Sequence, residues 1–548
     1  MKRDTSPVAD AGPPASATVI DPWAPLRRPV FRLLWITALT ANICSWMFEV
    51  AAAWTMATMP DSTPLLVALV QTAATAPVFL LALPSGALAD IIDRRRYLIF
   101  SQCWVTAASL LAGVLAVSGA LTGRWLFFVA FLMGCGLAMR LPTYQSLMQE
   151  VVPRDEIAGA VVLNGVALNS SRAVGPVIAG AIVASAGAGQ VFLLNALLSA
   201  VAVYFLLRWR RDASPASNLP SERFIGAIRV GIQFALHTPA LLAVLARGAV
   251  CSFFGGAPLV LLPVVAKNQL QAGPTTYSLL VSCFGLGALV LALVLGRVRR
   301  RVSRDQLLAS AWTLSAAATA VVGLSSSAYA VGAAMVAGGF GWMAAFSAFQ
   351  VAAQMALPRW VGGRGLALVL MALWVGMAFG GAVWGQLATK AGVATSLLTA
   401  AVTSLVGLAA TWRLKLDGHG DGDLTPSPYR RAVKLAVPLE PAQGPVMVTV
   451  EYLIDPGRAV DFLKLMQASR RTRLRNGAMS WAIFRDVAHA GRYVEQFIDE
   501  NWLAHLRHRE RVTAAERAIE NRKLAFHVGE RPPLVKAFVG ADVPKGPG

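Results

Sequence analysis

Charge is what this sequence has least of. Asp, Glu, Lys and Arg make up 14% of its 548 residues, against roughly 25% in soluble domains, which excludes an ordinary soluble protein. Its five cysteines (Cys44, Cys103, Cys135, Cys251 and Cys283) all fall in apolar stretches. They show neither metal-ligand spacing nor a pairing pattern, so they read as small packing residues. No histidine lies inside a long apolar run. His237 sits beside the central loop and the others lie in the carboxyl-terminal tail, so a histidine relay through the apolar part is excluded. No GxxxxGK[ST] phosphate loop occurs, which argues against ATP as the energy source. Residues 1–29 lack an apolar core and read as a disordered cytoplasmic lead, not a cleaved signal.

What is present is hydrophobic. Hydrophobic residues make up 56% of the chain, and its mean hydropathy is +0.57. They come in runs of about 20, the length a helix needs to cross a bilayer. In lipid such runs must be helical, because a helix satisfies its own backbone groups. The spacing predicts twelve spans, at about 31–57, 64–89, 98–119, 124–149, 157–186, 190–208, 241–265, 275–297, 306–325, 328–353, 363–388 and 391–412. Arginines cluster at 94–96, 208–211 and 297–304 in the loops of one side, while the other side holds Arg124, Lys267 and Lys390. By the positive-inside rule both termini are then cytoplasmic in an inner (plasma) membrane. The net charge of +20 is accounted for by that asymmetry, so no nucleic-acid partner is implied.

The two halves repeat one another at an offset of 205 residues. Gln145 falls on Gln350, Gln149 on Gln354, Pro153-Arg154 on Pro358-Arg359, Gly175 on Gly380 and Gly180 on Gly385. A parallel repeat of six spans suits a transporter that rocks two bundles about a central site. The expected organisation is a lead (1–29), a first six-helix bundle (30–209), a central cytoplasmic loop (210–240), a second bundle (241–413), a linker (414–445) and a soluble α+β module (446–540). In that module the strand and helix patterns follow a βαββαβ order, the split-βαβ, ferredoxin-like arrangement.

GALADIIDRRR, from Gly86 to Arg96, resembles the loop motif between helices 2 and 3 of the major facilitator superfamily. The stretches YQSLMQEVVPRDEIAGAVVLNGVALNSSRAVGPVIAG and FQVAAQMALPRWVGGRGLALVLMALWVGMAFGGAVWG resemble its transmembrane secretion effector branch, which includes enterobactin-exporter-like proteins. The carboxyl-terminal module is similar in pattern to the antibiotic-biosynthesis-monooxygenase-like fold. The resemblance implies an all-α membrane protein of twelve helices with the major facilitator fold. It also implies a cytoplasmic gate of Gly86, Asp90, Arg94 and Arg95, with basic loop residues pairing to carboxylates. The alternative is that these arginines only set topology. Gly175, Pro176 and Gly180 resemble the helix-5 motif of antiporters, with Ser171 and Ala179 where glycine is usual. They are expected to let the fifth and eighth spans approach closely, with Pro176 bending the fifth, and Gly380 and Gly385 are expected to serve the same close packing in the second half.

Glu49 is the carboxylate placed well inside a span. It either faces a cavity and carries a proton or sits wet at the outer interface. Arg140 and Arg172 must turn inward, to bind an anionic substrate, to neutralise Glu49 or to make a structural contact. Asn42, Gln71, Asn164, Asn169, Gln350 and Gln354 are further wall candidates. His505 and His508, at i and i+3, are read as a solvated helix face, and no metal or cofactor is expected. The expected function is a monomeric secondary exporter of an amphipathic small molecule, such as a drug-like compound or siderophore, exchanged for protons. The alternatives are an importer or facilitator of the same fold, a transporter regulated by its tail, or a membrane-tethered enzyme.

Overall fold

The computed structural model describes residues 23–153, 156–209, 224–358, 360–416, 425, 427 and 439–541. The side chains of 82, 83, 86, 87, 89–91, 146, 149, 150, 157, 158 and 224–228 are outside that description. Twelve helical segments are long and apolar enough to cross a membrane. In the first half these are α1 (Pro29–Thr58), α2 (Pro64–Ile91), α3 (Arg94–Val117), α4 (Gly123–Val151), α5 (Ile157–Ala186) and α6 (Ala188–Arg208). A short helix α7 (Phe224–Leu236) follows, where the sequence pattern predicts a loop. The seventh crossing is broken into α8 (Pro239–Gly255), α9 (Ala257–Val264) and a π-turn at Val265–Gln269. Then come α10 (Pro274–Arg299), α11 (Arg304–Leu324), α12 (Ala328–Ala356), α13 (Gly362–Ala391) and α14 (Val393–Ala410).

Local chemistry sets the boundaries. Thr63 and Thr122 cap α2 and α4 by accepting from Leu66 and Trp125 backbone N–H groups, and Ser303 forms a capping box with Gln306 at α11. Helices α5 and α13 both stop at a left-handed glycine, Gly187 (φ +88°) and Gly392 (φ +89°), the conformation that glycine adopts most cheaply. Those two glycines are also 205 residues apart, so the repeat extends to the helix stops.

One apolar core runs across both halves at the end remote from the termini. It takes in Met47–Ala57 of α1, Val67 of α2, Leu261 of α9, Tyr277–Phe284 of α10 and Trp384 of α13. At the terminal end there are two separate cores instead. One belongs to the first half (Phe31, Leu34, Leu98, Leu147, Leu206) and one to the second (Phe234, Leu241, Trp312, Phe349, Leu373). The halves are therefore sealed together at one end and parted at the other.

The tail holds a four-stranded antiparallel sheet of β1 (Val446–Leu453), β2 (Ser480–Arg485), β3 (Arg492–Asp499) and β4 (Leu534–Val539), in the order β2-β3-β1-β4. Helices α15 (Ala459–Arg475), α16 (Trp502–Glu510) and α17 (Ala514–Leu524) accompany it. Alternate residues Val446, Val448, Val450 and Tyr452 of β1 are buried, as a sheet with one covered face requires.

Candidate functional site

The repeated glycines do matching work in the two halves. A Cβ on Gly175 would stand 2.8 Å from Trp46 Cβ of α1, and one on Gly380 would strike Phe253 O of α8. Gly180 and Gly385 act across the halves: a Cβ on Gly180 would overlap Ser278 of α10, and one on Gly385 would stand 2.6 Å from Ala68 Cβ of α2. Pro176 lies inside α5 between them. Gly285 completes the α5–α10 contact, its Cβ position being 2.9 Å from the Arg172 carbonyl. Polar links reinforce the seal. Lys267 Nζ donates to Ala57 O at 2.7 Å, Leu65 N donates to Thr389 Oγ1 at 3.0 Å, and Trp54 stacks on Tyr277 at 5.7 Å.

At the terminal end, Asp93 caps α3 by accepting from Arg96 N at 2.9 Å. Arg95 donates to Leu206 O at 3.2 Å and to Leu207 O at 2.7 Å. It ties off the carbonyl end of α6 inside its own bundle, where the helix dipole favours a cation. Arg94 is half-buried at the first position of α3. The side chains of Gly86 and Asp90 lie outside the described residues.

The structure divides the remaining candidates into two groups. Glu49 of α1, half-buried, lies within electrostatic reach of Arg172 on α5 and of the Tyr277 phenol on α10, without a hydrogen bond or ion pair to either. The Arg172 guanidinium also lies 5.1 Å from the Trp46 ring centre. This pair sits where the two halves meet. Arg140 of α4 belongs to the other group and donates to Asn42 Oδ1 at 2.9 Å. It lines a cavity of about 50 Å³ with Gln102, Tyr144, Gln145 and Asn164. Asn169 donates to Gly165 O of its own helix at 2.9 Å. Gln350 and Gln354 lie apart on α12, the first with a buried, unbonded Oε1 and the second exposed.

Sequence reasoning missed Arg247. It lies in the seventh crossing, is 1% exposed, and pairs with Asp305 at the start of α11. A basic residue inside an apolar run was the available signal. The reading of His505 and His508 as a solvated face is also overturned. Both are buried and bind Asp499, at 2.8 Å and 2.9 Å through Nδ1. The helical spacing was correct, but the sheet residue they cover is remote in sequence.

The tail is docked on the second half. Arg475 of α15 lies 5.8 Å from the Phe234 ring of α7, Phe234 meets Trp360 edge-on at 5.6 Å, and Arg511 lies 4.3 Å from Trp360. Burial, followed by the neighbouring Arg364 and Arg507, lowers the Arg511 pKa to about 10, so it stays charged at neutral pH. Behind this joint Arg475 is held by Glu516 at 2.6 Å.

A sequence profile described as transmembrane secretion effector matches residues 20–545. The chain belongs to that family of the major facilitator superfamily. It is 28% identical over 305 residues to the protein named Uncharacterized MFS-type transporter YfiS of Bacillus subtilis (strain 168), covering 53% of this chain and 70% of YfiS. It is 23% identical over 230 residues to the Staphyloferrin A transporter of Staphylococcus aureus (strain NCTC 8325 / PS 47), covering 41% of this chain and 57% of that one. The fold is similar to a bacterial homolog of the human lysosomal transporter Spinster, inward-facing and occupied, with TM-score 0.58 at 13% identity over 71% of this chain and 97% of that one. It is equally similar to a mutant form of the nucleoside transporter NupG, with TM-score 0.58 at 12% identity over 70% and 99% of the two chains. The fold is thus that of a major facilitator transporter, a multi-pass membrane protein.

Proposed function

We propose that this transporter exports an amphipathic small molecule, drug-like or siderophore-like, across the inner (plasma) membrane in exchange for protons. The observation that carries the reading is the charge interaction of Glu49 with Arg172 of the first half and with Tyr277 of the second, which places an ionisable carboxylate where the halves meet. Rocking the halves about this point separates Tyr277 from Glu49 and changes the solvation of a carboxylate, which is what couples proton uptake to alternating access. The arginine asymmetry sets the parted end toward the cytoplasm, so the conformation is open to substrate from inside. The name of the staphyloferrin A relative supports a siderophore-like cargo. Organisation into bundles at 30–209 and 241–413 with a tail at 446–540 belongs to the same reading, as does a gate formed by Gly86, Asp90, Arg94 and Arg95 when the inner end closes.

The test is dye and siderophore efflux in energised cells, with Glu49→Gln and Asp90→Asn beside wild type. Loss of export in both, and in wild type once the pH gradient is collapsed, is the expected result. Normal gradient-driven export by Glu49→Gln removes the proposed carrier. A second reading, regulation by the tail, is favoured by the Arg475–Phe234–Trp360–Arg511 joint, because Trp360 leads directly into α13. Deletion of the tail then changes the rate or its control while transport persists.

A further inference from the structure

We infer that the cavity beside Arg140 is a subsite for the carboxylate of an organic acid, so that the exported molecule is an organic anion. This rests on the transporter reading above and adds the chemistry of the cargo. Arg140 is 7% exposed, and its one hydrogen bond goes to a neutral partner, Asn42 Oδ1. Its ionisable neighbours are Cys44 and Tyr144, which are neutral near pH 7 in their ordinary state. Glu49, weighed from the sequence as a partner for either arginine, interacts with the charge of Arg172 and not with that of Arg140. Among the described residues no acid balances Arg140.

Two more donors line the same cavity without an acceptor. Gln102 Nε2 and Tyr144 Oη are both buried and make no hydrogen bond, and their residues are 3% and 8% exposed. Buried polar groups are ordinarily paired, and a buried cation more so. A guanidinium, an amide N–H and a phenol O–H lining one small space make an incomplete shell whose missing member is an anion. The planar guanidinium fork suits a carboxylate, which can accept two parallel hydrogen bonds from it.

Size and position agree. About 50 Å³ holds a carboxylate or a few waters, not a whole molecule, so the site takes a head group and leaves the body of the ligand in the cleft. Asn42 lies about 20 Å along α1 from Pro29 at 1.5 Å per residue, at mid-depth. Gln145 and Leu168, on the cavity rim, are exposed. Arg172 differs because a carboxylate, Glu49, lies within electrostatic reach of it and its guanidinium stands over the Trp46 ring.

The experiment is thermal unfolding of the purified full-length protein in detergent. The probes are salicylate and 2-naphthoate, with salicylamide, 2-naphthamide and sodium chloride at matched ionic strength as controls. Both carboxylates are expected to raise the apparent Tm of wild type while the amides and chloride do not. Arg140→Gln abolishes the shift, and Arg140→Lys raises the half-saturating concentration about tenfold by losing the fork. Tyr144→Phe, which removes one oxygen, keeps the unliganded Tm and weakens binding several-fold, so a poorly folded Arg140 variant does not stall the test. The subsite is overturned if neither carboxylate shifts wild type, if the amides act equally, or if Arg140→Gln and Tyr144→Phe bind as wild type does. Binding needs no gradient, so the outcomes separate. Carboxylate binding without gradient-driven efflux keeps the subsite and removes the exporter, whereas efflux confined to cationic dyes does the reverse.

Discussion

Arg247 shows how an ion pair inside the bundle is committed to structure. Its guanidinium pairs with Asp305 and donates to Leu414 O at 2.9 Å, while Asp305 accepts from Leu416 N at 3.1 Å. The pair thereby fastens the chain leaving α14 to α8 and α11. Removing one partner strands the other, so Arg247→Met is expected to cost about 3–5 kcal/mol, read as a lowered apparent Tm in detergent. Replacing Asp305 with Leu as well should recover part of that. Glu495 in the tail follows the same logic with a pH readout. It is fully buried, and it accepts from Ser469 at 2.7 Å, Trp481 at 2.9 Å, Tyr452 at 3.0 Å and Lys523 at 3.2 Å. Burial alone would raise its pKa, but the charges of Lys523 and Arg473 and these hydrogen bonds hold it far below the usual value of 4.5. A depressed carboxylate stabilises the fold fully above its unfolded pKa and progressively less as pH falls through the folded one. Protection of the tail against pepsin in the full-length protein should therefore decline from about pH 4.5 downward. With Glu495→Gln, protection at neutral pH (against trypsin) should already be reduced.

Among the elements, helices were legible and their partners only partly so. The pattern of apolar runs places all twelve crossings within a few residues, because bilayer thickness fixes their length. It misses α7, whose thirteen residues are too short for that rule. It also merges α8 and α9, since a break at Gly255–Ala257 leaves hydropathy unchanged. The small residues about Gly180 were read as bringing the fifth span against the eighth, which is α10, whereas the partner of Gly385, α2, came from the structure. Wedging that contact is predicted to open the sealed end. Gly180→Val and Gly285→Val should make a cysteine placed at Ser278 reactive to a membrane-impermeant thiol reagent from outside, and should reduce export severalfold. Unchanged labelling would mean the α5–α10 contact does not form the seal. The site residues were legible as types but not as pairs. Depth along a helix placed Arg140 and Arg172 alike, and only the packing of α1 against α4 and α5 gives one of them Asn42 and the other Glu49.

For the whole molecule, the tail and the bundles form one device joined through α7 and α13. Arg511→Glu places a carboxylate over the electron-rich face of Trp360 in place of the cation. It is expected to free the tail, seen as faster tryptic cleavage between residues 417 and 438, and to change export rate while leaving substrate preference intact. Unchanged cleavage and rate would reduce the joint to packing. The central claim is exchange of an organic molecule for protons between two halves sealed at one end. Its most direct measurement is pH inside pyranine-loaded proteoliposomes during transport of a substrate identified by efflux. Substrate entering through inward-facing molecules should drive protons out of the vesicle, so that the lumen becomes alkaline, and Glu49→Gln should abolish the proton signal while retaining substrate exchange. Proton movement in the same direction as substrate, or transport with no proton movement, would contradict the account.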